Sequence, residues 1–465
     1  MSVSHELLGR AGPTAAKGRV TAMESVATTT AEGLRGAIPR ARWWRIIPPT
    51  IIIYIIAYMD RVNIGFAMAG GMNKDLGLTA TASGLAAGIF FWGYLVLQVP
   101  GGHIAEHGSA KKFIAWTILG WGSISLLSGF VQSAWQLYAL RFLLGVAEGG
   151  VAPAIYVIIG KWFPQKELGR ANALYLISLP LSAAVTNPIS GWVVEHWGWR
   201  GLFFFEGIVS LALILVWWPL ISDRPEDAKW ISQAEKEYLQ TTLAEEKAKC
   251  EANLKAAGQV KWSYGQLLLN KHLCIMMILY FCYISGSLGY VIWLPTLLKK
   301  LTKMSLTNVG WLSALPLAAG VAGVYVLGAL SDKKGNRRIW CANAVWGFGL
   351  AFWASALFPS HIWVSYALIV LAGLLSKAMQ GAFWSMPVLV FPPGVAGGAR
   401  GIINGVGNLG GFFGPVLVGW VTTKTGNMNY GIYALGALVI VGGSLTLLMP
   451  KVTAGFEYQE EAKAA

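Results

Sequence analysis

Five charged residues stand inside runs that are otherwise apolar. They are Asp60 and Arg61 in YIIAYMDRVNIGFA, Arg141 and Glu148 in RFLLGVAEGG, and Lys377 in LLSKAMQGAFW. A guanidinium grips a carboxylate through paired N–H donors, and a lysine adds a compact point charge. A carboxyl group withdrawn from water exchanges a proton near neutral pH more readily than one in solution. Together these residue types suit the binding of a small organic anion coupled to protons. The competing reading is a structural ion-pair network that binds nothing. Lys377 shares a helical face with Gln380 and Trp384, where it either meets the far end of a longer acid or snorkels toward the membrane surface.

The elements that must carry these residues are membrane helices. Of 465 residues, 55% are apolar and 12% charged, about half the roughly 25% charge of a soluble domain. Apolar runs of spanning length fall near 46–69, 81–104, 113–131, 135–160, 170–193 and 201–220, and again near 272–298, 306–331, 339–358, 362–391, 400–422 and 430–449. The predicted fold is therefore an all-α integral membrane protein with twelve transmembrane helices in two pseudo-symmetric six-helix halves. Its expected parts are a flexible cytoplasmic N-tail (1–45), an N-terminal bundle (46–220), a cytoplasmic linker (221–271), a C-terminal bundle (272–450) and a C-tail (451–465). At about 1.5 Å per residue, Asp60 lies about 21 Å into the first span and Arg141 about 9 Å into the fourth. Because the two spans run in opposite directions, Arg61 and Arg141 reach similar depth.

The formal charge of +14 is a topology signal. Lys and Arg gather in the tails and in alternate loops, which sets both termini on the cytoplasmic side and leaves nothing to suggest a nucleic-acid partner. The four cysteines form no CxxC pair, the histidines have no metal-ligand spacing, and no cofactor is called for. Gly405 to Gly410 reads GVGNLG, but no strand precedes it, so its small residues suit helix packing rather than a dinucleotide.

An internal repeat supports the division into halves. GHIAEHGSAKK from Gly102 and GALSDKKGNRR from Gly328 align Gly102 with Gly328, Glu106 with Asp332, Lys111 with Arg337 and Lys112 with Arg338. Asn187-Pro188 and Gly414-Pro415 repeat at nearly the same offset. A carboxylate beside two cations between helix ends can latch one conformation closed; the alternative is a solvated basic loop.

At IAYMDRVNIGFA, RFLLGVAEGGVAPA, KWFPQKELGRANA, FFFEG, SDRPEDAKWIS and GIINGVGNLGGFFGP, taken in order, the chain resembles the anion:cation symporter family of the major facilitator superfamily. The resemblance covers about residues 45–450. It implies substrate-binding roles for Arg61 and Arg141 and proton-coupling roles for Asp60 and Glu148. His107 and Ser109 depart from the family's usual first loop, whereas Lys333 and Gly335 keep the second copy intact. Gln98, Asn187, Tyr290, Trp293 and Trp384 are candidates to line the cavity. The expected function is import of a small organic anion, such as a sugar acid, with protons, by a monomer surrounded by lipid in a bacterial inner membrane. A drug or metabolite exporter of the same fold and an anion-binding membrane sensor are the alternatives.

Overall fold

The computed structural model describes residues 41–256, 267–334, 336–391 and 393–450, and every regular element among them is helical. Most of the expected N-tail, the expected C-tail and Gly335 lie outside the described residues.

The first expected span consists of α1 (Ala41–Val62) and α2 (Ile64–Ala69), interrupted at Asn63. After a short α3 (Met72–Asp75) come α4 (Ala80–His107) and α5 (Ala110–Ser128). The fourth span is α6 (Ala134–Gly149) and α7 (Val151–Trp162), meeting at Gly150. Next are α8 (Gln165–Leu176) and α9 (Ser178–Leu220). Gly198 interrupts α9 with φ 71° and ψ 178°, a left-handed region open chiefly to glycine, so α9 bends back between the fifth and sixth apolar runs. A polar helix, α10 (Gln233–Ala256), precedes α11 (Lys271–Thr302), α12 (Leu306–Lys334), α13 (Arg337–Ser355), α14 (Ile362–Val390), α15 (Pro393–Asn408), α16 (Gly410–Thr425) and α17 (Met428–Leu445). Nine segments among the described residues are long and apolar enough to cross a membrane, and one of them, Gln165–Leu220, contains both the fifth and sixth expected runs. Large apolar side chains such as Trp44, Trp116, Leu215 and Tyr325 face outward, as suits helices whose solvent is lipid. The GVGNLG stretch begins within α15 and crosses into α16, and a Cβ at Gly407 would strike the Tyr280 ring.

Glycines bring α4 and α6 close enough to build a site between them. A Cβ at Gly93 would lie 2.0 Å from the Phe142 carbonyl oxygen, and one at Gly145 would lie 2.0 Å from that of Phe90. No larger residue permits that approach, and it sets Phe90 and Tyr94 beside the charged face of α1.

The N- and C-terminal helices meet along α9 and α12, α4 and α16, and α2 and α11. A Cβ at Gly310 would sit 2.6 Å from the Asn187 carbonyl oxygen, and one at Gly84 would sit 2.4 Å from that of Pro415. Thr81 donates from its backbone N–H to Thr423 Oγ1 at 2.9 Å, and the Thr307 N–H donates to Glu195 Oε2 at 2.8 Å. Both bonds lie at the end opposite the basic loops.

The described part of the expected 221–271 linker is fastened to the N-terminal helices. Arg42 at the start of α1 donates to Glu235 of α10 at 2.5 Å and to Glu167 of α8 at 2.7 Å. Arg42 and Glu235 are both buried. The Trp162 and Trp230 rings stack at 5.0 Å.

Candidate functional site

The break in the first span organises the buried charges. Where α1 gives way to α2, backbone carbonyls need donors from elsewhere, and Arg141 of α6 supplies them. Its Nη1 donates to the Asp60 carbonyl at 2.9 Å and its Nη2 to the Arg61 carbonyl at 3.1 Å, with a longer 3.5 Å contact from Nη1 to Asn63 Oδ1. The Arg141 side chain is fully buried, and its guanidinium carbon lies 5.3 Å from the centre of the Phe90 ring.

Arg61 is placed differently. Its side chain retains 15% exposure, Nη2 donates to Glu148 Oε2 at 3.4 Å, and the guanidinium lies 4.7 Å from the Tyr94 ring centroid. Glu148 itself is buried, and its other oxygen has no hydrogen-bond partner. Of the two guanidiniums, one is therefore committed to the backbone and the other shares a single long contact while partly open. Asp60 is buried with both carboxylate oxygens occupied, one by Ser125 Oγ and the other by Ser210 Oγ at 2.9 Å.

A residue that the sequence reading did not single out completes this cluster. Glu206 of α9 is buried and accepts from the Asn63 side-chain amide, while its second oxygen has no partner. The signal was available: Glu206 is a carboxylate inside the 201–220 apolar run.

Lys377 and Gln380 line a cavity of about 290 Å³, with Tyr58, Leu317 and Gly320 among the other residues around it. Lys377 Nζ donates to Ser287 Oγ at 3.2 Å. Gly320 leaves room for the lysine stem, since a Cβ there would lie 2.9 Å from Lys377 Cγ. The Tyr283 hydroxyl is buried near Gln380 and Ser287 without a well-formed hydrogen bond. Tyr58 lies three residues before Arg61, on the same face of α1, and so connects this cavity with the Arg61 side.

The remaining candidates are dispersed. Gln98 is half-buried on α4, one turn beyond Tyr94. Asn187 is buried in the α9–α12 contact through its backbone. Trp384 packs edge-on against Tyr280 at 5.0 Å and presents its carbonyl to Arg400. Tyr290 donates to the Ile369 carbonyl and Trp293 to that of Pro415, so both serve packing.

At the loop candidates, the two copies of the repeat are held by different partners. Gly102 packs near Pro153, and Glu106 is exposed, with its carbonyl accepting from Lys161. Asp223 secures this loop, accepting from Ser109 Oγ at 2.5 Å and from the Lys111 N–H at 2.8 Å. The Lys111 ammonium lies 4.8 Å from the centre of the Trp218 ring, while Lys112 is exposed. In the second copy Arg338 donates to the carbonyls of Leu447 and Met449. Gly328 is in α12, Asp332 falls near its end, Lys333 is exposed and Arg337 opens α13. Among the described residues, no group of three or more His, Cys, Asp or Glu side chains is arranged to hold a metal ion.

Comparison with known proteins agrees with this architecture. A Major Facilitator Superfamily model matches residues 50–415 and, in a second match, 298–463. The chain is 35% identical over 88% of its length, and 93% of the relative's, to an Agrobacterium vitis protein described as a tartrate transporter. It is 29% identical to a quinolone resistance transporter of Acinetobacter baumannii, covering 87% of this chain and 93% of the relative. It is 27% identical to a Bacillus subtilis protein described as a galactarate/D-glucarate transporter, covering 86% of this chain and 89% of the relative. In structure it resembles a bacterial homolog of the human lysosomal transporter Spinster in an inward-facing, unoccupied conformation, with TM-score 0.73 at 16% identity over 88% of this chain and 97% of that one. The chain belongs to the Major Facilitator Superfamily of membrane transporters, not to an enzyme family, and within that superfamily to the anion:cation symporters.

Proposed function

We propose that the protein imports a small organic anion, a carboxylate or sugar acid, together with protons. Twelve spans in two six-helix halves work by alternating access, with both termini on the cytoplasmic side of a bacterial inner membrane. The observation that carries this reading is the single 3.4 Å contact between Arg61, the partly open guanidinium, and the buried Glu148. An entering carboxylate competes for Arg61. Glu148, losing its partner in a dry site, then takes up a proton, because an unpaired buried carboxylate is costly. Lys377 and Gln380 receive the far end of the substrate, and Tyr58, Gln98 and Trp384 shape the space between. Arg141 supports binding by fixing the backbone that carries Arg61, and Asp60 is the second proton-coupling candidate.

The glycine contacts and the Thr81–Thr423 and Thr307–Glu195 bonds suit a state sealed at the extracellular end and accessible from the cytoplasm. The loops at Gly102–Lys112 and Gly328–Arg338 would close the cytoplasmic end in the opposite state. The names of the tartrate and galactarate/D-glucarate relatives support the substrate class. The quinolone-resistance relative favours a second reading, an exporter of the same fold. Buried Arg61, Arg141 and Lys377 oppose a cationic cargo in that reading.

The test is uptake by purified, folded protein in liposomes carrying an acid-outside gradient, offered tartrate, sugar acids and aromatic acids. Gradient-dependent accumulation that Arg61→Ala abolishes is expected. Failure across the panel would refute the importer reading, and drug efflux by the same protein would favour the exporter.

A further inference from the structure

The buried cluster holds more carboxyl groups than cations. Asp60 of α1, Glu148 of α6 and Glu206 of α9 face two guanidiniums, Arg61 and Arg141, with Asn63, Ser125 and Ser210 as the neutral partners. Ionising all three acids would leave one uncompensated negative charge in a water-poor interior, a situation that proteins relieve by neutralising a group.

The hydrogen bonds say which acid that is. Asp60 accepts from two hydroxyls, and Glu148 accepts from Arg61. Among the described residues, no cation forms an ion pair with Glu206. It accepts from an uncharged amide, its second oxygen has no partner, and no part of it reaches solvent. Asn63 joins it to the rest of the cluster, because its Nδ2 donates to Glu206 while its Oδ1 faces Arg141 at 3.5 Å.

We propose that Glu206 keeps a resident proton throughout the cycle and, as a neutral acid, holds Asn63 at the break in the first span, leaving Asp60 and Glu148 as the exchangeable acids of the cluster. The positive charges of Arg61 and Arg141 are then matched by two carboxylates when no substrate is bound. Glu206 is a positioning residue in this scheme, acting through Asn63 and Arg141 on the backbone of Arg61. The proposal rests on the transport reading for its consequence, but its test does not require transport.

The test is infrared spectroscopy of the full-length protein in lipid, following the carbonyl stretch of protonated carboxyl groups from acid to alkaline pH. One such band should persist at alkaline pH, shift when glutamate carries ¹³C in its side-chain carboxyl, and vanish in Glu206→Gln. If Glu206→Gln does not fold, Glu148→Asp with the same glutamate label leaves Glu206 as the glutamate of this cluster, and the persistent labelled band should remain. Where uptake is measurable, the pH midpoint of Glu206→Gln should match that of the parent. Loss of every such band from the parent at alkaline pH, or survival of the persistent labelled band in Glu206→Gln, overturns the proposal. So does a shifted midpoint, which would make Glu206 an exchanging site. Absence of uptake with the band present would refute the transport reading alone.

Discussion

Replacing Glu148 with Gln removes the carboxylate that competes with substrate for Arg61 and should separate binding from proton coupling. At the observed 3.4 Å and an effective dielectric constant of about 20, the gross Coulomb attraction between the two groups is about 5 kcal/mol. Burying both groups cancels much of this. If about 1.4 kcal/mol survives, removal of the competitor tightens anion binding about tenfold. Arg61 tolerates the loss because its side chain is 15% exposed, so a substrate or solvent can still meet its charge. Accumulation should fall instead. In the parent, one coupled proton and a gradient of one pH unit supply about 1.4 kcal/mol, enough for about tenfold accumulation at zero membrane potential. Glu148→Gln has no acid at this position to carry that proton, so it should equilibrate labelled substrate across the membrane without concentrating it. Counterflow and gradient-driven uptake in the same liposomes, with affinity measured by ligand-dependent thermal stabilisation, make the comparison. Accumulation at parental levels, or affinity unchanged from the parent, would refute the competition between Glu148 and substrate.

The two arginines should fail in different ways. Arg141→Ala strands the carbonyls of Asp60 and Arg61 and should lower stability by about 1–3 kcal/mol for each, whereas Arg61→Ala should lose less, because Glu148 takes up a proton, yet forfeit the roughly 2.7 kcal/mol gained from ligand at 100 times its Kd; thermal unfolding in detergent with and without ligand reads both. Glu235→Ala leaves Arg42 buried with Glu167 as its remaining carboxylate and should destabilise the N-terminal helices by several kcal/mol, more than the combined Arg42→Ala/Glu235→Ala variant, in the same assay. Gly310→Ala sets a methyl group 2.6 Å from the Asn187 carbonyl oxygen; it should pry α9 from α12 at a cost of about 1–3 kcal/mol, seen as a longer spin-label distance across that end.

The apolar runs were legible because lipid demands them: nine segments among the described residues are long and apolar enough to cross a membrane, the fifth and sixth runs falling in one of them. The breaks inside them were less legible. Nothing in the residue types around Asn63 announces that the helix stops there, so the donors that Arg141 aims at backbone carbonyls could not be foreseen. Glu206 was visible by the same rule that found Glu148, namely a carboxylate in an apolar run, but it carried no adjacent arginine to draw notice. The linker's Glu/Lys-rich pattern reads only as a cytoplasmic linker, because its attachment depends on Arg42, nearly 200 residues earlier. In the first basic loop, sequence symmetry pointed to Glu106, while Asp223 makes the contacts. Long-range partners of this kind leave no trace in local spacing.

Placing the charged cluster at a helix break also connects it mechanically to the rest of the molecule. Immediately after Asn63, α2 turns toward α11, and Gly65 approaches so closely that a Cβ there would lie 2.4 Å from the Ile292 carbonyl oxygen. The start of this short helix is thus fixed by Arg141 and Asn63 and by the Ile292 backbone of α11, while its far end at Gly70 packs on Val194 of α9. Under the proposed exchange of Glu148 for a substrate carboxylate at Arg61, a shift at the break would be taken up either at Arg141, which is fully buried, or at the α2–α11 contact. The second course is the cheaper, because packed interfaces shift between discrete arrangements more readily than buried guanidiniums surrender their hydrogen bonds. Under the proposed cycle, anion binding at Arg61 would thereby bias the adjoining α2–α11 contact between the two sets of helices.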